Sequence, residues 1–372
     1  MNDRERFDRI LRFQPVDRPI NFELALWGQT LDRWHDEGLP QDVHIGTLLE
    51  GCEYFDLVRI GYLPLQIVQM MPAFEEEVLE ETDRYLIKLW ADGHVSKLLK
   101  EGSSHGTRMS MDQMLSFPVT DRDSFKAVVQ RYNPQSPARY PEWWTDLCRC
   151  LAGRDYPLSL THNACFGLYS FMRRLMGTEL ACTIFYDDPA LAHNVLDFAT
   201  DYFIEITRPA VEQIEIDFFN FFEDFAYKTG PLVGPNIFEK FLMPRYRRII
   251  DFLRDHGVQH IWLDSDGNTE LLIPDFIEMG ITCHWPLERA AGMDPVKLRA
   301  TYGHDLALVG GIDKRELTKG RKEMEQELGR LAPLIEDGGF IPTVDHAVPP
   351  DVSYENWLLF LELKRELLGI TE

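Results

Sequence analysis

Residues 259–272 read QHIWLDSDGNTELL. Ile261, Trp262 and Leu263 form a short apolar run of strand composition. It ends in Asp264, Ser265, Asp266, Gly267 and Asn268, and a helical pattern then continues to Met279. Strand, acidic turn and helix make one βα unit, and the unit recurs. Strands are expected at 157–161, 217–222, 259–263, 281–284, 306–309 and 340–344. Helices are expected at 168–176, 189–213, 236–256, 295–301, 321–336 and 353–368. Strands alternating with helices of this length imply parallel βαβ units. Six or more units in series, with no GxGxxG fingerprint, favour a closed (β/α)8 barrel over a dinucleotide-binding sheet.

Upstream of this run the pattern is less regular. Phe7, Ile10, Leu11 and Phe13 have helical spacing within 4–13. Pro15 ends that helix, and residues 18–24 read as a first strand. Residues 76–99 hold two strand-like runs separated by Ala91-Asp92-Gly93, a hairpin signal. Residues 117–150, rich in Pro, Trp and charge, bridge into the second part. The expected architecture is therefore one α/β domain over 1–372, a (β/α)8 TIM barrel with an N-terminal helical and hairpin extension. Residues 1–150 would supply the first strand, the inserted hairpin and connecting helices, and 151–372 the main run of βα units.

The bulk composition narrows the class. The chain has 372 residues and a net charge of −23, with Lys and Arg scattered rather than gathered into a stripe. Nucleic acid and anionic membranes would be repelled, so neither is an expected partner. No window reaches about 18 uncharged apolar residues, and the N-terminus is charged from its third residue. The six cysteines show no CxxC spacing, which reads as reduced thiols in a cytoplasmic protein. Cys148 and Cys150 are separated by one residue, too few for the usual metal-ligand pair, and read as helix packing.

In such a barrel, functional groups follow the C-terminal ends of the strands. Here those positions carry Thr161-His162-Asn163-Ala164-Cys165, then Glu223 and Asp224, then Asp264 and Asp266. Next come Cys283-His284-Trp285 with Glu288, then Asp313-Lys314, and last Asp345-His346. A single Asp after a strand commonly caps the next helix or forms a turn. Six successive strand ends bearing acid, His or Cys exceed what capping needs. Gly267 reads as a positive-φ residue. Asp266 or Asn268 also suits a helix cap, His162 and Cys165 also suit packed core, and Asp313-Lys314 also suits a surface pair. Asp345-His346, between Gly338-Gly339 and Pro349-Pro350, is the more pointed signal. An imidazole there suits ligation or proton transfer near neutral pH.

The chain resembles the uroporphyrinogen decarboxylase-like superfamily, which also holds the methylcobamide:coenzyme M methyltransferases and, more distantly, cobalamin-independent methionine synthase. The residues that carry the resemblance are RERFDRILRFQPVDRPI at the start, GPLVGPNIFEKFLMPRYRRIIDFLRDHG (230–257) and DSDGNTELLIPDFIEMGI (264–281). WPLERAAGMDPVKLRATYG (285–303), LVGGIDKREL (308–317) and GGFIPTVDHAVPPDVSYENW (338–357) continue it. True decarboxylases of that group carry an arginine-rich RQAGRY motif for the substrate carboxylates. The matching stretch here, Glu23 to Gln29, has no arginine.

What the resemblance implies leans to the methyltransferase branch. There, His-x-Cys and a late Cys hold zinc that activates a thiol. Asp264-Ser-Asp266 occupies the His-x-Cys position, His346 the late cysteine position, and Glu288 the place of an acidic ligand. Asp264, Asp266, Glu288 and His346 are accordingly the expected catalytic residues. They would hold a divalent metal (zinc if any), or act without one as acid, base or substrate anchors. Trp27, Phe166, Phe225 and Trp285 are expected as apolar substrate walls, with His162, Glu223, Asp224, Asp313 and Asp345 as polar contacts. The implied function is corrinoid-linked methyl transfer, with a small methyl donor or acceptor and a corrinoid as substrate or on a partner protein, none covalently attached. A homodimer is expected by similarity. Two rival expectations are a cofactor-free decarboxylase using Arg289, Lys314 or Arg315, and a non-catalytic corrinoid- or tetrapyrrole-binding protein.

Overall fold

The computed structural model describes residues 1–42, 45–162 and 165–370. Asn163 and Ala164, at the end of one expected strand, lie outside the described residues. Seven strands form one sheet in chain order: β1 (Gly61–Tyr62), β2 (Leu158–Ser159), β3 (Phe218–Glu223), β4 (His260–Ser265), β5 (Cys283–Trp285), β6 (Ala307–Val309) and β7 (Phe340–Ile341). Every neighbouring pair is parallel. The observed sheet is thus a curled, parallel, seven-stranded one. Residues 18–24, expected as a strand, form no ladder. They join the sheet's flanks through Val58 N–H donating to Asn21 O (2.8 Å) and Val344 N–H donating to the Glu23 carboxylate (3.0 Å). Isolated bridges pair Leu26 with Val348 and Ala25 with Leu48. β1 lies in a stretch with no strand signal long enough to read.

Alternation along the strands sorts the core into two parts. Trp262 of β4, Phe218 of β3, Cys283 and Trp285 of β5, Ala307 and Val309 of β6 and Ile341 of β7 share one cluster inside the curl. Ile261, Leu263, Phe219 and Phe221, of opposite parity, pack outward against the helices. The helix Asp3–Leu11 closes the N-terminal end of the interior, its Phe7 stacking on Trp262 at 5.5 Å. A capping box at Asn2 and Glu5 starts that helix.

The surrounding helices follow the expected rhythm with two adjustments. The helix expected at 168–176 runs on as Leu168–Asp187, bending at Gly177, whose φ is +77°. The helix expected at 236–256 begins as a short α segment, passes through a wider π turn at Phe238–Leu242 and ends at Asp255. Residues 76–99 form three antiparallel strands, Glu77–Glu81, Tyr85–Leu89 and Val95–Leu99, and Gln113–Ser116 adds a fourth. The Ala91-Asp92-Gly93 turn joins the second and third. The first run folds on itself at Thr82, whose N–H donates to Tyr85 O. Cys148 and Cys150 lie in the helix Trp144–Leu151 as free thiols. Among the described residues no helix is long and apolar enough to cross a membrane.

One buried ion pair ties the two ends of the chain together. Lys364, on the helix Tyr354–Leu367, donates to Glu23 at 2.7 Å and to the Phe22 carbonyl at 2.7 Å. Neither side chain is more than 2% exposed. Glu23 thus serves the frame rather than the substrate position that alignment with the RQAGRY motif would give it.

Candidate active site

The parity that puts Trp262 inside the curl also puts Asp264 there, two residues further on, at the C-terminal end of β4. Phe222 on β3 and Trp285 on β5 reach the same level. They meet residues from loops at both ends of the chain around a cavity of about 330 Å³. Its wall comprises Leu24, Ala25, Leu48, Glu50, His162, Phe222, Asp224, Asp264, Asp266, Trp285, Pro286, His346 and Ala347. Wider clefts exist, one of about 650 Å³ beside Asp32, His35 and His105 and one of about 420 Å³ at the N-terminal ends of β3 and β4, but the strand C-termini meet at the smaller cavity.

Within the cavity, Nε2 of His346 stands 3.5 Å from Oδ2 of Asp266. Burial opposes a charge on His346, but the Asp266 hydrogen bond and negative charge outweigh it and raise the imidazole above its ordinary value. Asp264 is pushed well above the usual carboxylate range by burial, then by the nearby charges of Asp266 and Asp224. The Asn220 amide beside Asp264 offsets this in part. The other end of Asn220 accepts a hydrogen bond from Trp285 Nε1 at 2.9 Å, so one amide fixes both the aromatic wall and the buried acid. On the opposite side, Asp224 is held by Arg173 at 2.9 Å. Glu50 accepts from the Tyr62 hydroxyl at 2.6 Å. The Tyr62 ring packs against His162 at 5.0 Å, and burial depresses the His162 imidazole.

The acidic loop after β4 is braced from behind. Gly267, at φ +79°, donates its N–H to Glu288 at 2.9 Å, so Glu288 supports Asp266's loop and is not on the cavity wall. Asp345 is fully buried. Its carboxylate accepts the backbone N–H groups of Arg289 (2.9 Å) and Lys314 (3.2 Å), which pins the loops after β5 and β6 beneath His346. The Lys314 ammonium lies 3.9 Å from Glu288 and 3.8 Å from Asp345.

Several expected residues point elsewhere. Glu223 has outward parity: its carboxylate accepts the amides of Tyr169 (3.2 Å) and Ser170 (2.7 Å) at a helix start, and the Tyr246 hydroxyl. Burial raises it to about 7. Asp313 is 5% exposed and bound to Arg315 at 2.6 Å, serving its own loop. Phe166 and Phe225 are core residues, the first stacked on Phe203 at 4.5 Å and the second on Tyr169 at 5.6 Å. Trp27 caps the helix Gly28–Asp36 and is not on the cavity wall. His284, of outward parity, is buried between the Leu263 carbonyl and Thr269, and burial lowers it to about 4.

As a metal set, Asp264, Asp266, Glu288 and His346 do not fit. Among the described residues, no three His, Cys, Asp or Glu side chains are grouped to hold an ion. Asp266 pairs with His346, whereas Glu288 turns to Gly267 and Lys314. Glu50, Asn220, Leu24 and Leu48 are cavity or supporting residues that sequence reasoning did not name.

With this geometry in place, comparison with known proteins is informative. Residues 94–367, well over half of the chain, match the family described as uroporphyrinogen decarboxylase (URO-D). The chain belongs to the URO-D family. Among solved structures, a methyltransferase from Methanosarcina mazei is similar to it, with a TM-score of 0.60 over 98% of this chain and 99% of that one. The two are 15% identical, so the likeness speaks for the fold. No curated protein matches. For a URO-D family member, the acid-rich cavity wall is the feature that any functional reading must explain.

Proposed function

We propose that this URO-D family member is an enzyme of corrinoid-linked methyl transfer, with a small methyl donor or acceptor bound in the 330 Å³ cavity. The observation that carries this reading is the cavity's charge. Asp224, Asp264 and Asp266 line it, and among the described residues no Lys or Arg does. A substrate with many carboxylates, such as uroporphyrinogen, would meet like charge there. The cations that a decarboxylase would need face other acids, Arg289 with Asp294 at 2.7 Å, Arg315 with Asp313 at 2.6 Å and Lys314 with Asp345 at 3.8 Å.

A reduced corrinoid, free or on a partner protein, supplies the nucleophile for such chemistry. The chain's own residues position the donor and manage one proton. Trp285 and Phe222 hold the methyl-bearing group by apolar contact, and in-line placement of this kind accounts for much of a transfer's acceleration. When the methyl carbon's bond to its heteroatom breaks, the electron pair stays on the heteroatom, which leaves neutral if it holds a proton. His346, whose imidazole Asp266 holds above its ordinary value, is the group placed to share that proton. The test is to incubate the protein with cob(I)alamin and a panel of O-, S- and N-methyl compounds. The expected result is the spectral change to methylcobalamin with at least one donor. No change with any donor, or turnover of uroporphyrinogen, overturns the reading.

A further inference from the structure

Four carboxylates face one small cavity: Glu50, Asp224, Asp264 and Asp266. The protein answers three of them, with the Tyr62 hydroxyl, Arg173 and His346 respectively. Asp264 receives the neutral amide of Asn220, and among the described residues no Lys, Arg or His forms an ion pair with it. Burial, and then the nearby charges of Asp266 and Asp224, push Asp264 above the usual carboxylate range, and a cation in the cavity would offset both. Trp285 and Phe222 supply aromatic surface to the same space. Carboxylates beside aromatic rings attract compact organic cations, by charge and by the ring quadrupole.

We propose that the ligand this cavity selects is a small methylated ammonium cation. The inference rests on the methyl-transfer reading only in naming that ligand as the methyl donor. A protonated N-methyl amine would set its positive nitrogen toward Asp264 and its methyl groups against Trp285 and Phe222. A bound ammonium brings its own proton, so its nitrogen leaves neutral when the methyl group departs, and His346 supplies the proton only to a donor bound unprotonated. The co-reactant remains the reduced corrinoid, which takes the methyl group while the carbon–nitrogen pair stays on nitrogen. A neutral ether brings no counter-charge to the acid-rich wall, and an anionic donor is repelled by it.

The test is calorimetric titration of the full-length protein with three probes of similar size: trimethylammonium, tert-butanol and pivalate. Trimethylammonium should bind at least about tenfold more tightly than tert-butanol, and pivalate should not bind. Asp264→Asn should erase the preference for trimethylammonium, and Trp285→Leu should weaken trimethylammonium binding while the preference persists. Equal binding of tert-butanol, or tighter binding of pivalate, overturns the proposal on the unmodified protein alone. Selective trimethylammonium binding with no methyl passing to cob(I)alamin removes the methyl-transfer reading and leaves the cation site standing. Methyl transfer from neutral donors without any cation preference does the reverse.

Discussion

Nε2 of His346 and Oδ2 of Asp266 face each other across 3.5 Å at the rim of the cavity, although 80 positions separate them in the chain. The imidazole is held above its ordinary value by that carboxylate. Activity that requires protonated His346 is therefore full at low pH and declines as pH rises through the raised value. Asp266→Asn should move that decline to lower pH, measured as kcat against pH.

With a methyl donor bound unprotonated, His346→Gln should lower kcat by about 10²- to 10⁴-fold, the range for losing a positioned proton donor. The His346 side chain is one-third exposed, so its removal leaves little void. The melting temperature should stay nearly unchanged. A large drop in melting temperature would make the histidine structural instead.

Gly267→Ala should damage both stability and activity. An added Cβ would come within 2.5 Å of the Ala226 carbonyl, and the backbone φ is +79°. A strained conformation of this kind costs on the order of 1–3 kcal/mol, and its relief would swing Asp266 away from His346. Denaturant unfolding reads the first effect and kcat the second.

Lys364→Met should destabilise the fold by about 3–5 kcal/mol, because it leaves the Glu23 carboxylate buried without its partner. The double variant Glu23→Leu with Lys364→Met should recover part of that loss. Denaturant midpoints of the two variants decide the point.

Asn220→Leu should leave Trp285 Nε1 buried and unbonded, costing about 1–3 kcal/mol. It should also raise KM more than it lowers kcat, since Trp285 and Asp264 would lose their shared brace while His346 and Asp266 keep theirs. Steady-state kinetics beside thermal unfolding separates the two.

The rhythm of βα units was legible because each strand is a short apolar run and each helix a periodic one. Parity became readable only once the structure fixed which strand residues face inward. Counting by two from Trp262 reaches Asp264 and keeps it inside, and counting from Cys283 to Trp285 throws His284 outward. The same count from Asn220 through Phe222 turns Glu223 away from the cavity. What sequence alone could not give were contacts made by irregular chain. Leu24, Leu48 and Glu50 carry no period, β1 is two residues long, and residues 18–24 read as a strand yet form no ladder. Glu288, a ligand by resemblance, and Asp345, expected as a substrate contact, both give carboxylate oxygens to backbone amides.

The cavity draws its wall from Leu24 and Ala25 near one terminus and from His346 and Ala347 near the other, and Lys364 locks the same two regions together. During synthesis the pocket therefore cannot form until His346, Ala347 and Lys364 have emerged, long after Leu24 and Ala25. A prematurely terminated chain, however well its earlier helices pack, holds no working site.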